Sequence, residues 1–301
     1  MHKRGMRFEG TYTALATPFR NDAARSIDWD AFDALIAHQL RGGITGLVPC
    51  GTTGESPAFT HEEHLAVIKR TIERGKGKAQ IVAGTGSSST AHPVPLSKEA
   101  EALGAEAVMV VVPYYNKPTQ EGLYRHFVAV ARAVKCAVVV YNVPGRSSVD
   151  LSADTLGRIV ADAKNVVATK EATGNILRAQ ELHRRHGDAL AVLCGDDVLT
   201  LGMIACGAKG VISVTSNIAP GAVTNATALA LAGDFASAKK AHQKLLPLHD
   251  AMFLEANPGP VKAALAKLGI GTEYVRGPLA EVTEATRTAL HAAMAQFGDV
   301  R

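Results

Sequence analysis

The chain has few cysteines, and none is placed for pairing within a short motif. Four occur among the 301 residues, at Cys50, Cys136, Cys194 and Cys206, and no two of them form a CxxC. This spacing excludes a disulfide-rich secreted scaffold and argues against a CxxC redox or zinc motif. Because the four lie mostly in or beside apolar runs, we expect reduced thiols packed in the core.

The histidines lack the spacing of a common metal motif. One close pair, His61 and His64, flanks two glutamates, but the zinc-protease motif HExxH would need a histidine at position 65, which is Leu65. Two side chains do not complete a zinc site. We therefore expect no bound metal.

Long runs of one chemical type are also absent. No stretch approaches the roughly 18 apolar residues of a membrane span, and no Lys/Arg run is long enough for a nucleic-acid patch or a membrane anchor. The basic start, Met1–Arg7, lacks the apolar core of a signal peptide. With 47% hydrophobic and 20% charged residues, we expect a cytoplasmic globular protein that binds neither nucleic acid nor membrane.

The glycine-threonine segment Gly51–Ser56 does not have the pattern of a nucleotide-binding loop. It lacks the Gly-Lys-Ser/Thr ending of a Walker motif, and the chain has no GxGxxG. Its backbone N–H groups could bind a phosphate or a carboxylate. We favour a carboxylate, bound by Thr52 and Thr53.

What the chain does contain is a regular alternation of short apolar runs and amphipathic stretches. Continuous apolar strands that alternate with helices indicate parallel strands buried on both faces, and a count of eight favours a closed α/β barrel of the TIM (β/α)8 type. An open doubly wound sheet is the structural alternative. The predicted strands are Thr11–Ala16, Thr45–Pro49, Gln80–Gly84, Ala107–Val112, Ala137–Tyr141, Val166–Thr169, Leu190–Cys194 and Gly210–Val214.

Helix signals separate these runs and continue after the last of them. Asp28 is placed to cap a helix over residues 28–40, and Thr60 with Glu63 makes a capping box for a helix over residues 60–74. The strand pattern stops after Val214. We therefore predict a catalytic barrel of residues 1–233 and a C-terminal helical appendage of residues 234–301 that packs on it.

Five polar segments follow or end predicted strands. The carboxyl ends of barrel strands lie at one mouth, where the chemistry of such barrels takes place. The sequence therefore predicts a candidate active site built from Gly51–Ser56, Pro113–Asn116, Tyr141–Arg146, Lys170 and Gly195–Asp197.

Lys170 is the most informative residue of this set. An ammonium ion at the end of a buried strand is costly to desolvate, and a neutral lysine amine attacks carbonyl carbons. The position therefore indicates a Schiff-base lysine. The alternative is a surface ion pair with the next residue, Glu171.

Together these motifs resemble the dihydrodipicolinate synthase family, within the class I, Schiff-base-forming pyruvate aldolase superfamily that includes N-acetylneuraminate lyase. The resemblance spans nearly the whole chain, from Gly10–Phe19 to Asn257–Lys262. It departs at Thr169, where the family usually has isoleucine. Its most specific motifs are Gly51–Ser56, Tyr114–Asn116, Tyr141–Arg146 and Lys170–Asn175.

The resemblance implies a reaction and its catalytic residues. Lys170 would form a Schiff base with pyruvate, and the enamine would condense with L-aspartate 4-semialdehyde without a cofactor. Tyr141 would transfer protons, relayed through Thr52 and through Tyr115 of a neighbouring subunit. The family assembles as a homotetramer, a dimer of dimers, and we expect the same here.

The resemblance also implies the substrate-binding residues. Thr53 would bind the pyruvate carboxylate, Arg146 the carboxylate of the semialdehyde, and Gly195 and Ile212 further parts of the substrates. Sugar-acid lyases need hydroxyl-binding groups instead, so Arg146 favours a synthase. A related pyruvate lyase or aldolase acting on another aldehyde, and a non-catalytic barrel that binds a keto acid, are the alternatives.

Regulated members of the family bind lysine at an effector site that this chain matches only in part. Ser88 and His92 stand where an asparagine and a glutamate would bind the charged groups of the effector. Without that glutamate, the ammonium of lysine loses its charge partner. The matching positions are Ser56, His61, His64 and Tyr114.

We therefore predict weak or absent inhibition by L-lysine. The measurement is the rate of the purified protein against increasing L-lysine at fixed substrate. Inhibition at sub-millimolar L-lysine would contradict the prediction.

Overall fold

Eight parallel strands close into a barrel within residues 7–298, the part of the chain described by the structure, which is a computed structural model. Each strand pairs with the next, and β8 pairs with β1, which confirms the (β/α)8 barrel and excludes the open sheet. Residues 1–6 and 299–301, which include most of the basic start of the chain, lie outside the described residues. The strands are β1 Gly10–Ala14, β2 Gly46–Val48, β3 Gln80–Gly84, β4 Ala107–Val111, β5 Ala137–Asn142, β6 Val166–Glu171, β7 Ala191–Cys194 and β8 Gly210–Ser213.

Helices surround the strands and continue beyond the barrel. Both predicted caps are present: the Asp28 side chain accepts a hydrogen bond from the Ala31 amide, and Thr60 and Glu63 form a reciprocal capping box. The helices are α1 Trp29–Arg41, α2 His61–Gly75, α3 Pro93–Leu103, α4 Gln120–Ala133, α5 Pro144–Ser147, α6 Ala153–Asp162, α7 Ile176–His186, α8 Thr200–Ala205, α9 Pro220–Leu231, α10 Phe235–Ala251, α11 Gly259–Lys267 and α12 Glu284–Phe297.

The C-terminal helices pack on the barrel unit and on one another. Helix α10 contacts α9 and α12, and α11 contacts α12 and the turn Thr215–Asn217 that follows β8. The division of the chain at residue 233 stays a prediction. No helix in residues 7–298 is long and apolar enough to cross a lipid bilayer.

The apolar side chains form two layers, one inside the barrel and one between strands and helices. All four cysteines are free thiols, and Cys50 and Cys194 are buried as expected. Cys136 and Cys206 are half-buried and pack against the edge of the same core cluster. Cys136 directly precedes β5, and Cys206 directly follows α8.

One buried histidine gives the fold a dependence on pH. His126 on α4 is 2% exposed, and its Nδ1 lies 2.9 Å from the Thr90 hydroxyl oxygen. Its Nε2 has no hydrogen-bond partner within the described residues. Burial lowers the pKa of His126 to about 4. The folded state therefore binds fewer protons than the unfolded state between pH 4 and pH 6.5.

We predict that this histidine makes the free energy of unfolding fall as the pH decreases from 6.5 to 4. Because one pKa unit corresponds to about 1.4 kcal/mol, His126 accounts for a loss of about 3 kcal/mol. Urea unfolding at several pH values should therefore show a shallower acid loss for His126→Gln than for the wild type. His92→Gln, at an exposed histidine, is the control. Equal slopes for the wild type and His126→Gln would contradict the prediction.

Candidate active site

Lys170 and Tyr141 lie side by side at the mouth of the barrel. Strands β5 and β6 pair in a register that places Tyr141 opposite Lys170. Both side chains are 6% exposed, and the Lys170 Nζ lies 4.3 Å from the centroid of the Tyr141 ring. Within residues 7–298 the Lys170 amine forms no ion pair with a carboxylate. The site therefore brings together a buried amine and a phenol.

Glu171 points away from Lys170, to the outer face of the barrel. Successive side chains in a strand point to opposite faces. The Glu171 carboxylate is 1% exposed, accepts a hydrogen bond of 2.9 Å from the Thr173 amide and lies 3.7 Å from the Arg178 guanidinium. Burial raises the pKa of Glu171. The surface ion pair between Lys170 and Glu171 is therefore excluded.

Strand β6 is longer than predicted, so Lys170 belongs to the strand and not to the loop after it. Thr169, one residue before the lysine, faces outward and donates a hydrogen bond of 3.0 Å to the Val140 carbonyl. That bond supplies the buried hydroxyl with a partner and ties β6 to β5 beside the site. The departure from isoleucine at this position leaves the strand intact.

A cavity of about 220 Å³ opens in front of Tyr141. It is small compared with the roughly 300–1,000 Å³ of pockets for drug-sized ligands, so it suits a small metabolite. Thr52, Tyr141 and the exposed Arg146 line it. Four other predicted site residues are not among its lining residues: Lys170, Thr53, Gly195 and Ile212. Further lining residues include Cys50, Gly51, Ser56, Met109, Val111, Tyr114 and Val143.

Gly195 lies beside the lysine, and Ile212 lies in the barrel interior. A Cβ atom at Gly195 would lie 3.2 Å from the Lys170 Cε and 2.8 Å from the Ala172 Cβ, so glycine leaves room for the lysine chain. Ile212 is 1% exposed and belongs to the apolar cluster inside the barrel that also contains Tyr141. Both predicted residues therefore lie in the barrel interior or beside Lys170.

The loop Gly51–Ser56 presents unpaired backbone donors. The amides of Thr52 and Thr53 have no acceptor within residues 7–298, whereas the next two amides bond back to Gly51 and Thr52. Consecutive free N–H groups in a tight turn form a concavity suited to an anion. This arrangement fits the carboxylate preferred from the sequence.

The same loop depends on a buried ion pair that sequence reasoning missed. Glu55 and Lys262 are each 1% exposed, and the Lys262 Nζ lies 2.6 Å from the Glu55 Oε1. The Arg276 amide donates to the other Glu55 oxygen at 2.9 Å. Burial lowers the pKa of Lys262 to about 8, and the Glu55 carboxylate opposes that shift. The only signal in the sequence was a single charged residue in each of two otherwise uncharged motifs, Gly51–Ser56 and Asn257–Lys262.

Tyr115 does not reach the cavity of its own chain. It is 89% exposed and has a left-handed backbone with φ of 73°, while the preceding Tyr114 lines the cavity. A non-glycine residue in this conformation is strained. Of the predicted catalytic residues, the structure brings together Lys170, Tyr141 and Thr52, but not Tyr115.

The residues expected near an effector make separate contacts. The Asn116 side chain donates to the Ser88 carbonyl at 3.1 Å, and the His92 Nδ1 lies 3.5 Å from the Ser87 hydroxyl. His61 pairs with Glu99 at 2.7 Å, whereas the Nε2 of His64 lies 2.7 Å from a backbone carbonyl at Gly84. Among the described residues, no cluster of three or more His, Cys, Asp or Glu side chains could hold a metal ion.

Comparisons with known proteins agree with this geometry. The model of the dihydrodipicolinate synthetase family matches residues 7–297. The 4-hydroxy-tetrahydrodipicolinate synthase of Sorangium cellulosum is 54% identical over 95% of this chain and 94% of its own length. The crystal structure of dihydrodipicolinate synthase from Aquifex aeolicus superposes with a TM-score of 0.94 at 42% identity, covering 96% of this chain and 98% of that one. The synthase from Acinetobacter baumannii, solved in complex with pyruvate, has a TM-score of 0.93 at 41% identity, covering 96% of this chain and 99% of that one.

Proposed function

The chain belongs to the dihydrodipicolinate synthetase family, and we propose that it carries out the synthase reaction of that family on Lys170. Its function is that of a 4-hydroxy-tetrahydrodipicolinate synthase, a lyase of diaminopimelate and lysine biosynthesis. The observation that carries the assignment to Lys170 is its buried amine, without a carboxylate partner in residues 7–298, against the Tyr141 ring.

The proposed reaction on Lys170 proceeds through an iminium ion and an enamine. The neutral Lys170 amine attacks the keto carbon of pyruvate, and the carbinolamine loses water to give an iminium ion. Loss of a proton from the methyl group then gives an enamine, whose carbon attacks the aldehyde carbon of L-aspartate 4-semialdehyde. The amino group of the new chain displaces the lysine and closes the ring. The iminium itself is the electron sink, so the proposed mechanism uses no metal or cofactor.

Tyr141 is placed to move the protons of these steps. Its ring lies against the lysine, so its phenol can protonate the departing hydroxyl of the carbinolamine and the aldol oxygen. Thr52 lines the same cavity and is the next group of the proposed relay. Tyr115 completes the relay from a neighbouring subunit.

The two substrate carboxylates bind at different places. The free amides of Thr52 and Thr53 support a site for the pyruvate carboxylate, close to Lys170 and bounded by Gly195 and Ile212. The Arg146 guanidinium at the rim supports a site for the carboxylate of the semialdehyde, because its planar fork binds a carboxylate with two hydrogen bonds. The named relatives support this acceptor over a sugar acid.

We also propose that the chain assembles as a homotetramer, a dimer of dimers. An aromatic side chain that is 89% exposed on a strained backbone supports a contact with another molecule. With Tyr115 donated to its neighbour, each site of a dimer would need both subunits. The four free thiols support the cytoplasm as the compartment.

Substitutions at Lys170 and Arg146 should separate Schiff-base formation with pyruvate from condensation with the semialdehyde. Borohydride with pyruvate should add mass to the wild type at Lys170, and Lys170→Ala and Lys170→Arg should show no added mass and lose turnover by several orders of magnitude. Arg146→Ala should keep the trapping but lose on the order of 10- to 100-fold in kcat/KM for the semialdehyde, as expected for a lost charged hydrogen bond.

The control for this experiment is Arg132→Ala, at an exposed arginine of α4. The product is measured by coupling to a dihydrodipicolinate reductase. Trapping in Lys170→Ala would refute the role of the lysine. Normal condensation by Arg146→Ala would refute the second carboxylate site.

Mixed oligomers test the donation of Tyr115. Subunits with Lys170→Ala and with Tyr115→Phe should each be impaired alone, but a mixed dimer should contain one complete site. Random mixing should therefore restore up to about a quarter of wild-type activity. Lys170→Ala mixed with Tyr141→Phe is the control, since both residues belong to one subunit's site. Equal recovery in the two mixtures would contradict donation between subunits.

A further inference from the structure

Asn257 joins the C-terminal segment to the loop that presents the free amides. It lies just before α11, and its Nδ2 donates a hydrogen bond of 3.0 Å to the Thr53 Oγ1. Asn257 is 5% exposed and Thr53 is 2% exposed, so water does not compete for this bond. The two residues are 204 positions apart in the chain.

The direction of this bond decides what the Thr53 hydroxyl can do. A threonine hydroxyl carries one proton and can accept at its lone pairs. Since the oxygen accepts from Asn257, the proton is free to be donated elsewhere, and within residues 7–298 no group accepts it. The hydroxyl therefore adds a third donor to the two free amides of Thr52 and Thr53.

A second buried contact joins the loop of Thr53 to α11. Glu55, two residues after Thr53, has a left-handed backbone with φ of 57° and is paired with Lys262 on α11. The Lys262 ammonium also lies 3.8 Å from the centroid of the Phe19 ring. The loop and the start of α11 are therefore joined by two buried contacts, one through Asn257 and one through Lys262.

We propose that Asn257 is a positioning residue for keto-acid binding, which acts by keeping the Thr53 hydroxyl a donor toward the substrate carboxylate. This inference rests on the proposed function of the site and adds a residue to it. Thr52 lines the cavity in front of Tyr141, whereas Thr53 and Asn257 are not among its lining residues. The effect of Asn257 on pyruvate passes through Thr53, while the Lys262–Glu55 pair holds the loop Gly51–Ser56 to α11.

An aspartate at position 257 reverses the direction of the hydrogen bond with the Thr53 hydroxyl, while the side chain keeps its shape. The carboxylate has no proton to donate and accepts one from the Thr53 hydroxyl. The hydroxyl then points away from the substrate, and a negative charge is added near the pyruvate carboxylate. The carboxylate site at Arg146 is separate and should not be affected.

The test compares steady-state kinetics and melting temperature for Asn257→Asp, Asn257→Ala and the wild type. Asn257→Asp should raise the KM for pyruvate on the order of ten-fold, the loss expected for one hydrogen bond to a charged group. The KM for the semialdehyde should stay within two-fold. Asn257→Ala should show a smaller rise in the same KM, because it removes the donor without adding an acceptor.

A double-mutant cycle with Thr53→Val shows whether the effect passes through the hydroxyl. In the Thr53→Val background, Asn257→Ala should have little further effect on the KM for pyruvate. Asn225→Asp, at an exposed position of α9, is the control for the change in charge. Unchanged pyruvate KM, a parallel rise in both KM values, or full additivity with Thr53→Val would overturn the proposal.

The wild type separates this proposal from the function on which it rests. If the wild type fails to trap pyruvate with borohydride, the proposed function fails. If the wild type traps and condenses while the Asn257 variants keep a normal pyruvate KM, only the role of Asn257 is refuted.

Discussion

The register of β5 against β6, which shifts by one residue between Val138 and Val139, is the constraint on which the site depends. It places Tyr141 opposite Lys170 on the inner face, and therefore sends Asn142 and Glu171 together to the outer face. A slip of β6 by one residue would turn Lys170 to the outer face and bring Thr169 or Glu171 to the inner face, because side chains alternate along a strand. Two hydrogen bonds behind the barrel cross from β6 to β5 and hold this register: the Thr169 hydroxyl donates to the Val140 carbonyl, and the Asn142 side-chain amide donates to the Glu171 carboxylate at 3.4 Å.

Two buried lysines of this fold differ in whether a carboxylate is paired with the amine. Lys262 is paired with Glu55 at 2.6 Å, and removal of either partner would leave an uncompensated buried charge. Lys170 has an aromatic ring beside it and no carboxylate partner in the described residues. The first amine is engaged in holding the loop Gly51–Ser56 to α11, whereas the second is not engaged by any carboxylate of residues 7–298.

The conformation of the loop Gly51–Ser56 depends on contacts with the C-terminal part of the chain. The turn Gly51–Ser56 gains free amides only by adopting a tight conformation, with one left-handed residue directly before it, Cys50, and one within it, Glu55. Such residues persist where the surroundings hold them. Here the support comes from Asn257, Lys262 and Arg276, which reach the loop from the far end of the chain.

The sequence by itself determined the barrel and most of the mouth. Eight apolar runs predicted the strands to within two residues, and Asp28 and Thr60 predicted two helix starts, because periodicity and capping are local properties. Motif resemblance assigned the family, which the comparisons confirmed. The roles of the individual site residues stay predictions, although the fold brings Lys170, Tyr141 and Thr52 together as those roles require.

Only the tertiary structure decided the contacts between distant segments and the burial of single side chains. The pairing of Glu55 with Lys262, and of Thr53 with Asn257, joins residues more than 200 positions apart, and no periodicity carries that information. The choice between a surface ion pair and a buried amine at Lys170 likewise depended on which face of β6 points inward. Closure of the barrel decides which face that is, since it gives β6 an inner and an outer face.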